Sequence, residues 1–378
     1  MKNRAGRYIQ QPKGYKSFRP NPLPPIPELT IDPEMLSLLS KADRALGRLD
    51  GVTQTLPNPD LFVSMYVKKE ALLSSQIEGT QASLIEVLEA EEIQTSDAKE
   101  VTNYVKAVNY GMSRLNEFPL SLRLIREIHE KLLSSGRGSE YTPGEFRHTQ
   151  NWIGPAGCSL SNAVYIPPCV DDMNDALGDL EKYFYVEDDV PPLIKIALIH
   201  SQFETIHPFV DGNGRMGRLL ITFWLYQQEI LHRPLLYLSY YFKRNKAEYY
   251  DKLMAVRDNG EWEQWVKFFL RGIIEISMES TESARRIDAL RLKKVEQINA
   301  LSNATSANAR KVLDELFVTP RITRARIAEI AEVSDPTAGT LVHQLESLGI
   351  LVDESPSKKR NKTYVFKEYM DILEVGTE

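Results

Sequence analysis

The stretch IHPFVDGNGRMGR, residues 206–218, constrains the fold more than any other part of the chain. Its glycines, Gly212, Gly214 and Gly217, join two apolar runs, PPLIKIALIHSQFETIH and RMGRLLITFWLYQQ. Both runs carry apolar residues at three-to-four spacing, which predicts helix, tight turn, helix. The same glycines spell G-x-G-x-x-G. A dinucleotide site with that motif needs a preceding strand and an acid about 20 residues on. Here the preceding run is helical, and RPLLYLSYY near position 235 holds no carboxylate. No Gly-Lys-Ser/Thr follows, so a Walker A loop is excluded as well.

The residue types in the turn suit a polyphosphate. Gly212 and Gly214 allow left-handed backbone, so successive N–H groups can face an anion. A helix starting near Arg215 points its N-terminal N–H groups and positive dipole the same way. Arg215 and Arg218, three apart, share a helix face. Asn213 offers an amide donor. Asp211 is a hard carboxylate suited to Mg²⁺, which takes few protein ligands. His207 offers a neutral imidazole as a base near pH 7.

The rest of the chain reads as mainly helical. Residues 1–34 are rich in proline and basic residues and predict an extended strap or tail. Helical patterns follow, with Asp32 and Pro33 as a start and Gly51 as a stop, then Asn58 or Asp60 as a cap and Gly79 as a stop. SLIEVLEAEE, AKEVTNYVKAVNYGMSRLNE and SLRLIREIHEKLLSS continue the pattern. Residues 136–168 break it. RHTQNWI and AVYIP flank GPAGCSLSN and predict a β-hairpin with a long tip. Further helices are expected near 170–186, 191–206, 215–229 and 245–258, then one long helix from Trp262. Residues 305–378 read helix, helix, turn, helix, strand, basic loop, strand, the order of a winged helix-turn-helix.

Charge narrows the function classes. The net charge is −6, which disfavours a chain that coats nucleic acid or a membrane surface. Residues 305–378 carry 10 Lys and Arg against 12 Asp and Glu, so DNA binding there competes with a protein-interaction role. Lys358, Lys359, Arg360 and Lys362 make the one basic loop. Cys158 and Cys169 lack metal-ligand spacing and fit a reducing compartment. No apolar leader or membrane span is apparent, and a cytoplasmic protein is expected.

HPFVDGNGRMGR resembles the Fic family motif, H-P-F-x-D-G-N-G-R-x-x-R, at every fixed position. The resemblance implies a Fic-type helical bundle with a hairpin flap, and AMP transfer from ATP to a Ser, Thr or Tyr hydroxyl of a protein. By the same resemblance His207 is the base. Asp211 holds Mg²⁺ and, with Gly212, Asn213, Gly214 and Arg215, the α- and β-phosphates; Arg218 holds the γ-phosphate. Asn245, Tyr249 and Tyr250 lie on the adenine and ribose side. SSQIEGT at 74–80 fits the family's inhibitory motif, which implies that Ser74, Glu78 and Gly79 form a brake in which Glu78 pairs with Arg218. An extended target segment would dock on the flap at 147–166, and self-association is common in the family. The implied organisation is 1–99 for the N-terminal segment and inhibitory helix, 100–300 for the catalytic core and long helix, and 305–378 for the winged helix. The alternatives are a DNA-binding regulator, or a related transferase of another nucleotide or phosphoryl group.

Overall fold

The two helices around the glycine turn are found where the periodicity puts them. They are α7, Pro192–Ile206, and α8, Asn213–Gln227. Every residue of α7 from Leu193 to Ile206 is buried. A helix buried on every face must be covered all round, and α7 is packed by α6 (Val170–Phe184), α8, α10 (Lys246–Asn259) and α11 (Trp262–Asn299). The computed structural model describes residues 3–55, 59–88, 95–155, 157–357 and 362–377.

Around this centre stand α1 (Pro33–Thr55), α2 (Pro59–Ile77), α3 (Leu84–Leu88), α4 (Ser96–Leu115), α5 (Leu122–Leu132) and α9 (Ser239–Arg244). Side-chain caps start four of them. Asp32 accepts from the Met35 N–H at α1 and Ser83 from the Glu86 N–H at α3. Thr95 accepts from the Ala98 N–H and Ser121 from the Leu124 N–H, satisfying donors that a helix start leaves open. Helix α11 is continuous over 38 residues and packs along α1. Lys267 on α11 ties that pair at its end, with Nζ 2.6 Å from Asp32 and 2.7 Å from Glu34.

Glycines set how closely the helices approach. A Cβ at Gly217 would lie 2.3 Å from Oε1 of Glu204 on α7. One at Gly111 on α4 would lie 2.4 Å from the Phe223 ring on α8. Gly79 ends α2 in the left-handed region at φ +98°, as expected. Gly51 does not stop α1. The helix runs on to Thr55 because Thr53, 1% exposed, still packs inward.

The N-terminal segment is more ordered than a strap. β1 (Gly6–Gln10) and β2 (Lys16–Pro20) form an antiparallel hairpin with Tyr8 opposite Phe18. Phe18 is fully buried, and its N–H donates to Ile166 O at 2.9 Å, which joins this hairpin to the 147–166 segment.

The 147–166 segment departs from the expected hairpin. RHTQNWI and AVYIP form no strands, and the two sides meet at a single bridge, Ile153 with Tyr165. Gly154, Pro155, Pro167 and Pro168 interrupt a ladder there, since proline has no N–H and glycine weakens strands. Side chains hold the segment instead. Arg147, 1% exposed, donates to the carbonyls of Thr149, Pro168 and His207.

The C-terminal elements are α12 (Asn303–Val318), β3 (Arg321–Thr323), α13 (Arg324–Ala331), α14 (Asp335–Ser347), β4 (Val352–Asp353), β5 (Thr363–Val365) and α15 (Lys367–Leu373). The sheet order is β3-β5-β4, with both pairings antiparallel. Strand β3 and helix α15 are additions to the expected order. Of the basic loop, Lys358, Lys359 and Arg360 lie outside the described residues, and Lys362 pairs with Asp353 at 2.6 Å. Both cysteines are free. Among the described residues no helix is long and apolar enough to cross a membrane.

Gly111→Val forces a side chain into the Phe223 ring and should destabilise the chain by about 1–3 kcal/mol through overpacking. Urea unfolding followed by circular dichroism checks this; an unchanged midpoint would show that α4 and α8 can separate without cost.

Candidate active site

The turn between α7 and α8 is shaped by residues that break helix geometry at two points. His207 ends α7 in the left-handed region, at φ 50° and ψ 61°. Gly212 caps α8 at φ 78°, where a Cβ would also sit 3.2 Å from His129 Nε2. Gly214 is already helical, so the expected left-handed turn there is corrected. Glycine is required at 214 for space instead: a Cβ would lie 2.2 Å from Glu78 Oε1. The cradle is therefore one left-handed glycine followed directly by the first turn of α8, whose N–H groups have no intrahelical acceptor.

Asn213 corrects a second expectation. Its side chain faces the loop rather than a ligand. Nδ2 donates to Phe209 O and Oδ1 accepts from Phe209 N, both at 2.8 Å. That pair of bonds closes the Phe209–Asn213 turn. Phe209 is fully buried and stacks on His129, with ring centroids 3.6 Å apart and planes 5° from parallel.

His129 braces the other side of the loop. It is fully buried on α5, with Nε2 2.9 Å from Asp211 O. Its Nδ1 accepts from the Gly144 N–H at 2.9 Å. A carbonyl can only accept, so the ring is neutral and carries its proton on Nε2. The side chain of Asp211 is 31% exposed, and Oδ1 accepts the Gly212 N–H at 2.6 Å. It stands as a single carboxylate; among the described residues no group of three or more His, Cys, Asp or Glu could hold a metal. One carboxylate with an open side fits a Mg²⁺ whose other ligands come from water and substrate.

Arg215 and Arg218 are both buried, at 1% and 3% exposed. Arg218 is engaged at two of its three guanidinium nitrogens. Nε donates to Ser74 Oγ at 2.8 Å, and one terminal nitrogen donates to Ser74 O at 3.0 Å and Glu78 Oε1 at 2.8 Å. Ser74 and Glu78 thus meet Arg218 across 144 and 140 residues of chain, while Gly79 releases the chain just beyond the helix that carries them. Burial would raise the Glu78 carboxyl, but the charge and hydrogen bond of Arg218 outweigh it and hold the acid below its ordinary value. Arg215 has two carboxylates near it, Glu100 at 3.5 Å and Asp211 at 3.6 Å.

His207 lies beside this clamp. Its main-chain oxygen accepts from Arg147 Nε and Asn151 Nδ2, both at 3.1 Å, which fixes the left-handed residue. Burial, reinforced by the charges of Arg257 and Arg147, pushes its imidazole down to about 3. The ring is a neutral base at every physiological pH. Burial raises the neighbouring Glu204 to about 7.

The three residues expected on the nucleoside side separate. Tyr249 is 1% exposed and its hydroxyl donates to His200 Nε2 at 2.9 Å, so it belongs to the aromatic core. Asn245 turns its amide back to Tyr241 O at 3.0 Å. Tyr250 keeps an exposed face. Residues that sequence reasoning missed are Arg147, Asn151, His129 and Glu100. For His129 a signal existed, a histidine on the apolar face of IREIHEKL. For the others, spacing held no sign.

Residues 119–225 match the model of the Fic/DOC family, and residues 36–113 that of the Fic/DOC family N-terminal region. The chain is a Fic domain protein. His207 through Arg218 fall inside the first match, and Ser74, Glu78 and Gly79 inside the second. A protein adenylyltransferase Fic of Culex quinquefasciatus is 30% identical over 166 residues, 43% of this chain and 29% of that protein. One of Drosophila mojavensis is 26% identical over 253 residues, 63% of this chain and 45% of that protein. The chain thus spans less than half the length of these relatives. In fold, it resembles a Fic family protein from Desulfovibrio desulfuricans G20, with TM-score 0.60 and 19% identity, covering 89% of this chain and 97% of that one. A Fic domain containing signaling protein from Bacteroides thetaiotaomicron VPI-5482 gives TM-score 0.52 at 17% identity, covering 66% and 97%.

Burial also pushes His129 down to about 4 and His200 to about 3. In each case the folded value lies below the ordinary 6.5, so the protonated form is absent until well into acid. His207, His129 and His200 should therefore show no titration between pH 8 and pH 5.5 in an NMR titration of labelled histidines. A His207 inflection near 6.5 would show that its imidazole is solvated rather than buried.

Proposed function

We propose that this Fic domain transfers AMP from ATP to a hydroxyl of a protein, and that Glu78 restrains it. The observation that carries the reading is the convergence of a neutral His207, the open first turn of α8 and two buried arginines around the partly exposed carboxylate of Asp211. The adenylyltransferase relatives support the same class of chemistry.

In this reading the target hydroxyl oxygen forms a bond to the α-phosphorus and the α–β bridging bond breaks. Pyrophosphate leaves, and the hydroxyl proton passes to His207. Catalysis of this kind is mostly alignment and charge stabilisation. Asp211 would hold Mg²⁺, which neutralises phosphate charge when bound. The α8 N–H groups and Arg215 take the α- and β-phosphates. Arg218 takes the γ-phosphate once Glu78 gives up its place. The target would dock along 147–166, where Trp152 and Val164 are exposed beside the Ile153–Tyr165 bridge and give an apolar edge.

Glu78→Gly should raise AMP transfer, to the chain itself or to a target, because it frees Arg218. Adding His207→Ala should lower the rate about 10²–10⁴-fold, the usual worth of a general base. Intact-mass measurement with ATP and Mg²⁺ decides. No added AMP in the Glu78→Gly chain, alone or with lysate, would sink the transfer reading.

The pH profile gives a second check. A base whose value is depressed to about 3 stays competent as pH falls through 6.5, and removing the Glu78 charge depresses it further. For the Glu78→Gly chain, kcat/KM should stay flat from pH 8 to pH 5.5. A fall centred on 6.5 would point to a solvated base.

A further inference from the structure

Arg215 is an unusual buried cation. Its side chain is 1% exposed, yet none of its three guanidinium nitrogens has a hydrogen-bond partner among the described residues. Glu100 at 3.5 Å and Asp211 at 3.6 Å balance its charge without taking up its N–H groups. A buried donor left unmade costs about 1–3 kcal/mol, more when charged. An arrangement that leaves a whole guanidinium open is one that awaits acceptor oxygens.

Glu100 is the element that keeps it open. It lies in the first turns of α4 and is 2% exposed. Its carboxylate accepts from Thr80 Oγ1 at 2.9 Å, two residues beyond Glu78. It also grips a second arginine, with Arg137 Nε at 3.2 Å. Arg137 stands in the loop after α5 with its side chain 46% exposed, and one terminal nitrogen reaches Glu78 O at 3.5 Å. The next residue, Gly138, has φ +87°, and a Cβ there would lie 2.6 Å from Asp211 Oδ2. The loop that carries Arg137 is thus seated directly on the Asp211 carboxylate. One buried acid holds Arg215 beneath the cradle and Arg137 at its rim, between Asp211 and Glu78.

We propose that Arg137 is a third phosphate-binding arginine beside Arg215 and Arg218, and that Glu100 is the positioning residue that aims Arg137 and Arg215 at the polyphosphate. The inference rests on the triphosphate reading above and adds a rim contact to it. When Asp211 is engaged by a metal and Glu78 is displaced, Glu100 remains as the fixed anion for both guanidinium groups. The rim position suits arginine in particular, because the planar fork of Arg137 can bond Glu100 on one edge and present donors on the other.

The test is equilibrium binding of ATP, ADP and AMP with Mg²⁺ to the full chain in the Glu78→Gly background. Arg137→Ala should weaken ATP about tenfold, the loss of one charge-assisted pair, and leave AMP unchanged. Arg137→Lys should restore part of the loss. Glu100→Gln should weaken ATP at least as much and, through Arg215 on the α-phosphate, AMP to a smaller extent, and adding it to Arg137→Ala should give less than the product of the two effects on ATP. Equal weakening of ATP and AMP, or unchanged ATP affinity in Arg137→Ala, overturns the proposal. Arg137 is half exposed, so its variants keep the test decisive even if Glu100→Gln fails to fold. A chain that binds with this pattern and transfers no AMP removes the transfer reading and leaves the phosphate assignment. A Glu78→Gly chain that binds no ATP removes both.

Discussion

The bond set of Arg218 is the interaction on which the arrangement of this site depends. A guanidinium 2% exposed needs a compensating anion, because an uncompensated buried charge costs several kcal/mol. Ser74 near the end of α2 and Glu78 just after it are its partners. That requirement fixes how α2 lies against α8 and which of its faces turns inward. A one-residue rotation of α2 would point neither Ser74 nor Glu78 at the loop. The left-handed Gly79 then releases the chain from the helix just beyond the contact, and Thr80 reaches Glu100 on α4. Three helices are registered through one arginine and one glutamate.

The loop itself is held by side chains bonding main chain. Asn213 closes the turn onto Phe209, His129 holds the Asp211 carbonyl, and Arg147 and Asn151 hold the His207 carbonyl. Such bonds suit a segment that must present N–H groups outward. A strand ladder would have consumed those donors, whereas amide, imidazole and guanidinium groups act chiefly on the carbonyls; the Phe209 and Gly212 N–H groups are also taken, by Asn213 Oδ1 and Asp211 Oδ1, and the first-turn N–H groups of α8 stay open. The same logic explains why the 147–166 segment is no regular hairpin. Its proline and glycine residues break the ladder, and the buried Arg147 replaces it with three carbonyl bonds.

Burial sorts the titratable groups around this loop. The imidazoles of His129, His200 and His207 are driven to the neutral form, and the carboxyls of Glu70 and Glu204 toward it, with both acids pushed up to about 7. Desolvation acts in one direction on bases and in the other on acids, and in both cases removes charge. Glu78 is the exception, since Arg218 keeps it ionised. The charged groups that survive are those that hold one another, which is why the clamp is electrostatically distinct from its surroundings.

Much of this was legible from residue order. Three-to-four spacing placed α7, α8 and the long α11, because a helix buried through its side chains writes its period into the sequence. The stretch from the turn into α8 offered His207, Asp211, Arg215 and Arg218 as candidate groups, since those residue types lie within twelve positions. Other features depend on distance in space, which spacing does not encode. Gly214 is small because Glu78, far away in sequence, fills the room above it, and Asn213 and Tyr249 turn to partners inside the core. Glu100 and Arg137 carried no motif at all; the packing of α4 and the loop after α5 against Asp211 gave them their place. Local sequence determined which groups the loop could offer. The tertiary structure decided which of those groups are spent on holding the loop and which are left open, because a hydrogen bond is made once and only the packed fold says by whom.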